Sequence, residues 1–171
     1  FSRDDCAARH ELRHFRLGIV GLGQVGTLVA KLASAFGMRV QAFEPYVPEA
    51  RVATLEELLR TSDILTLHVP LTDETRRMIG ANELQMLPRG SYLINASRGE
   101  VLDQQAALAA LADDHLAGLA LDVFDPEPPE TTFPDDPRLI LTPHIAGCSY
   151  EVKTTVGGRL FDRIVQFYSH E

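Results

Sequence analysis

A short apolar run, Arg16 to Val20 (RLGIV), passes directly into GLGQVG and then into a segment, Gln24 to Phe36, whose apolar residues recur at helical spacing. Strand, glycine turn and helix in that order constrain the fold more than any other feature of the chain. Gly21, Gly23 and Gly26 take a GxGxxG spacing, which by itself is weak. In a strand-to-helix turn it has mechanical meaning. Gly21 makes the tight turn, Gly23 lets the main chain approach a pyrophosphate, and Gly26 brings the helix close to the strand. The helix N-terminus then offers unpaired N–H groups and the positive end of its dipole to the anion.

Downstream, strand-like and helix-like segments keep alternating, the pattern of βαβ units in a parallel sheet. RVQAF (39–43), DILTLHV (63–69), SYLINAS (91–97), LAGLALDVF (116–124) and RLILT (138–142) read as strands. TLEELLR reads as a helix with Thr54 as N-cap and Glu57 completing a capping box. Further helices are expected over 82–87, over 103–114 with Asp103 at the N-cap, and over 150–170, the last amphipathic. The fold class this implies is α/β: a Rossmann-type, doubly wound parallel sheet in three layers. Residues 1–15 read as a lead-in segment and 16–171 as one nucleotide-binding domain.

Composition narrows the partners. A net charge of −8 disfavours nucleic acid and anionic membranes, whose phosphates need an excess of lysine and arginine. No apolar stretch approaches the roughly 20 residues that span a bilayer, and the first residues given do not read as a charged-then-apolar leader. Cys6 and Cys148 lie far apart, without the spacing of a disulfide framework or a zinc site. No metal site is expected, and the cysteines suit the cytoplasm.

The second strand ends at Glu44, eighteen residues past Gly26, where dinucleotide folds place an acid against the adenosine ribose. A carboxylate there repels a 2′-phosphate, and no basic residue follows until Arg51. NAD is therefore favoured over NADP.

Four further motifs stand at strand ends, in order: HVPLT, NASRGEVLD, LDVFDPEPP and LTPHIAG. Together with GLGQVG they resemble the D-isomer-specific 2-hydroxyacid dehydrogenases over about residues 11–168. The resemblance implies a catalytic trio. Arg98 matches the substrate arginine, whose planar fork suits a carboxylate. His144 matches the acid/base, since hydride arriving at C2 leaves oxygen charge that must take a proton, and imidazole exchanges protons near neutrality. Glu127, in a segment holding six acids and no base between residues 122 and 136, matches the glutamate that orients the histidine. It also implies cofactor contacts at Gln24 and Val25 along the pyrophosphate, at Val69 and Pro70, at Ala96, Ser97 and Arg98, at Asp122 toward the nicotinamide carboxamide, and at His144 and Gly147. His68 reads as structural.

Departures from the family pattern carry information too. Glu44 stands where aspartate is more usual, and Val69 where threonine is frequent, so a packing contact replaces a hydrogen bond. About fifteen residues precede the first strand, and the chain stops within its last helix. The family builds a separate substrate domain from such flanking segments, so the expectation is a cofactor domain lacking the opposite wall of the cleft. The substrate would be a small 2-hydroxy or 2-keto acid and the assembly a homodimer. Two other readings stay open: an NAD(H)-sensing module like the family's co-repressor branch, and formate or phosphite oxidation on the same scaffold.

Overall fold

The computed structural model describes residues 10–44, 54–130 and 132–168. Cys6, Arg51 and most of the lead-in segment lie outside them. Six strands, β1 (Arg16–Val20), β2 (Arg39–Phe43), β3 (Ile64–Leu67), β4 (Ser91–Asn95), β5 (Leu116–Leu121) and β6 (Leu139–Leu141), form one sheet in the order β2-β1-β3-β4-β5-β6. Every pairing is parallel. The order reverses between β1 and β3. At such a switch point the loops leaving the carboxyl ends diverge and open a crevice for ligand.

Among the described residues four α-helices connect strands, α1 (Gln24–Ala35), α2 (Leu55–Thr61), α3 (Ala81–Met86) and α4 (Gln104–Ala112), and α5 (Tyr150–Tyr168) follows the last strand. Their starts follow the sequence. Thr54 and Glu57 exchange side-chain and backbone hydrogen bonds as a capping box, and the Asp103 carboxylate accepts from the amide of Ala106. Each satisfies amides that would otherwise lack partners, worth about 1 kcal/mol.

The larger core lies beneath α2, α3 and α4, where Leu58, Leu65, Leu67, Leu93, Leu111 and Leu119 are buried. The smaller core lies beneath α1, around Leu17, Ile19, Ala33 and Ala42. Helices on both faces make three layers, as expected. Coverage is uneven. On the α1 side, Tyr92, Ile94 and Ile140 remain 40%, 38% and 62% exposed, and the side chains described in α5 are all exposed.

The strands end earlier than their apolar runs. β3 stops at Leu67, β4 at Asn95 and β5 at Leu121, so His68, Val69, Ala96, Ser97, Asp122 and Val123 belong to the turns beyond. The apolar run measures burial, which persists into these turns. Pairing ends first.

Candidate active site

The glycine turn leaves the carboxyl end of β1. Gly21 has φ +96°, and a Cβ on it would fall 2.4 Å from the His68 carbonyl oxygen, so neither backbone nor space admits a side chain. A Cβ on Gly26 would meet the Gly21 carbonyl oxygen at 2.0 Å. Gly23 is different. Nothing lies within 4 Å of where its Cβ would stand, and as N-cap of α1 it supplies no side-chain cap. Open space before unpaired helix amides fits a pyrophosphate. Gln24 and Val25 flank that opening and are exposed.

Glu44 returns to the same turn, its Oε2 accepting from the amide of Leu22 at 3.3 Å. A carboxylate so placed suits ribose hydroxyls and opposes an added phosphate. Across the switch point, Val69 packs on the larger core beside Gly21, and Pro70 is exposed. His68 is half-buried, with Nε2 3.0 Å from the Thr66 hydroxyl, and burial lowers its pKa.

Beyond β4, Ala96 lines a cleft of about 420 Å³ with Ile94, Ala120, Asp122, Thr142 and Ile145. Ser97 is buried, and its hydroxyl donates to Asn95 Oδ1 at 2.9 Å. Its side chain is therefore committed inward, and its amide donates to the same oxygen at 3.1 Å. Arg98 is exposed, with its guanidinium donating to the Ser97 carbonyl at 2.6 Å.

His144 and Glu127 meet. Nδ1 of the imidazole lies 2.6 Å from Glu127 Oε1. An ionised carboxylate only accepts, so Nδ1 carries the shared proton and Nε2 is the nitrogen left for a ligand. His144 sits in the left-handed region at φ +53°, its amide donating to the carbonyls of Asp122 at 2.8 Å and Thr142 at 3.0 Å.

Asp122 holds this turn. Its Oδ1 accepts from the Thr142 hydroxyl at 2.6 Å and the Ile145 amide at 2.9 Å, and its Oδ2 from the Ala146 amide at 2.9 Å. Burial pushes the carboxyl pKa up, but these hydrogen bonds and the nearby His144 bring it net below its ordinary value. The residue expected to face nicotinamide thus also carries the histidine turn. Gly147, just beyond, is exposed with open space around it.

Sequence reasoning missed Asn95 and Thr142. For the first, the fold rather than the letters carries the signal: the folded strand SYLIN alternates buried and exposed positions, and Asn95 falls on a buried one. A polar residue in such a place needs an internal partner. For Thr142, nothing in LTPHIAG pointed to Asp122, twenty residues earlier.

Residues 2–146 match the family described as D-isomer specific 2-hydroxyacid dehydrogenase, NAD binding domain. The chain belongs to this family. As an NAD-binding domain of these dehydrogenases, it is 40% identical over 165 residues to the D-3-phosphoglycerate dehydrogenase of Bacillus subtilis, covering 92% of this chain and 31% of that protein. It is 42% identical over 155 residues to the glycerate dehydrogenase of Methylorubrum extorquens, covering 88% of this chain and 49% of that one. Among solved structures, the D-lactate dehydrogenase of Aquifex aeolicus, complexed with NAD and lactic acid, superposes with a TM-score of 0.87 at 31% identity. That likeness covers 99% of this chain and 58% of the other. The domain therefore spans a third to a half of the length of these two curated relatives. Among the described residues, no helix is long and apolar enough to cross a membrane.

Proposed function

We propose that this domain is the cofactor half of an NAD-dependent dehydrogenase that moves hydride between nicotinamide and C2 of a small 2-hydroxy or 2-keto acid. The observation that carries the reading is the 2.6 Å contact between Glu127 and His144, on the same sheet edge as the glycine turn and Arg98. Bound NAD(H) would supply the hydride. The chain's residues would do the rest.

Gly21, Gly23, Gln24, Val25 and Gly26 hold the pyrophosphate, and Glu44 the adenosine ribose. Val69, Pro70, Ala96, Ser97, Asp122 and Gly147 line the path toward the nicotinamide. Arg98 takes the substrate carboxylate through its planar fork. His144 donates a proton from Nε2 to the substrate oxygen during reduction and removes it during oxidation. Glu127 fixes the ring's tautomer and plane. A second domain supplies the opposite wall, excluding water as the cleft closes.

Two finer assignments accompany this reading. The protein works in the cytoplasm, which suits an exposed free thiol at Cys148. It forms a homodimer, supported by the apolar surface open on the sheet and on α5.

The test measures NADH binding by fluorescence, and NADH-dependent reduction of a panel of 2-keto acids, on this chain and on the full-length protein. Both should bind NADH. Turnover should require the longer one. Absence of NADH binding by both would overturn the proposal.

A further inference from the structure

We propose that Asn95 is a positioning residue for Arg98, holding the substrate-facing arginine from inside the protein; the assignment rests on the function proposed above. Asn95 ends β4 and is 1% exposed. A primary amide buried that deeply is costly unless hydrogen-bonded. Its bonds all go to the turn that carries Arg98. Oδ1 accepts from the amide of Ser97 at 3.1 Å and from its hydroxyl at 2.9 Å, while Nδ2 donates to the carbonyl of Arg98 at 2.9 Å. The amide fills the inside of the turn and ties both ends of the Ser97–Arg98 step.

The outside of the turn is equally confined. A Cβ on Gly99 would lie 1.8 Å from the Phe124 carbonyl oxygen, so the turn rests directly against the main chain leading to Glu127. The Asn95 carbonyl also accepts from the amide of Asp122 at 2.9 Å, and Asp122 holds the turn of His144. Through its side chain Asn95 fixes the arginine turn. Through its main chain it adjoins the residue that fixes the histidine turn.

Arg98 itself is exposed and long, so the angle at which its fork meets a carboxylate is set where its main chain is pinned. A misplacement of about 1 Å can cost on the order of a hundredfold in rate. The glycine turn and Glu44 stand at other strand ends, so freeing the Arg98 carbonyl while Ser97 stays held should weaken the keto acid and spare NADH.

The experiment uses the full-length protein with Asn95→Ala and Asn95→Asp, reading kcat and KM for the best 2-keto acid, the Kd for NADH, and Tm. The aspartate keeps the shape and the acceptor for Ser97 but loses the donor to Arg98, and it carries the test if the alanine variant does not fold. The aspartate variant should raise KM about tenfold or more while its NADH Kd stays within about twofold, and the alanine variant, which also frees Ser97, should raise KM at least as much. Unchanged KM in the aspartate variant, or KM and Kd rising in proportion, would overturn the role of Asn95 alone. A wild-type protein that binds NADH and reduces no 2-keto acid would overturn the functional reading and the role of Asn95 with it.

Discussion

His144 occupies backbone space that costs an L-residue roughly 1–2 kcal/mol, and its neighbours hold it there. Its own amide has two carbonyl acceptors, and the next two amides are taken by the Asp122 carboxylate. Strain retained this way marks a position where a side chain must point in one direction. In the full-length protein, His144→Ala should lower turnover by about 10²–10⁴-fold, whereas NADH affinity measured by fluorescence should change by less than about threefold, because the glycine turn is untouched. Loss of both together would identify the histidine as a structural element.

At the scale of elements, β1 and β3 are joined at their amino ends by Arg16 and Asp63. The guanidinium donates to the carboxylate at 2.9 and 2.6 Å, and the Arg16 amide adds a third bond at 2.8 Å. The hydrogen bonds from the Arg16 side chain hold the Asp63 carboxyl below its ordinary pKa. A depressed carboxyl pKa contributes stability that is complete above the unfolded value, near 3.9, and is lost as pH falls through the folded value. Asp63→Asn should therefore cost on the order of 1 kcal/mol at pH 7, allowing for solvent screening of a partly exposed pair. The gap between variant and wild type in urea melts should narrow as pH falls below the unfolded value, near 3.9. The element pattern itself was legible in the sequence, because apolar runs, caps such as Thr54 and Asp103, and the glycine turn are local signals. Strand ends were less so: Ser97 and Asp122 continue a buried stretch after pairing has stopped. The same holds for the site. Arg98, Glu127 and His144 could be singled out by motif order, while the bonds that aim them, from Asn95 and Asp122, join residues that only the folded sheet brings together.

For the molecule as a whole, stability resides in the sheet and its four shorter helices, since α5 exposes Leu160, Phe161 and Phe167 at 59%, 66% and 71%. At protein concentrations low enough to keep the chain monomeric, ending it before Tyr150 should shift its thermal midpoint by less than about 3 °C, because deleting exposed side chains changes stability little. It should also reduce binding of an apolar dye, as the surface removed is hydrophobic. A fall of 10 °C or so would show that α5 packs on the sheet in solution. The two ends of that sheet have different occupations. The candidate chemistry stands on turns at the carboxyl ends, whereas Arg16 with Asp63, Arg138 with Asp114 and Asp136, and the buried ring of His115 stand at the amino ends. Strands of four to six residues such as β1, β3, β4 and β5 separate these ends by about 13–20 Å, beyond the reach of screened charges in physiological salt. The sheet acts as an insulator, so substitutions can retune what one rim recognises without disturbing the fastenings on the other, and a lineage can change its substrate while inheriting its scaffold intact.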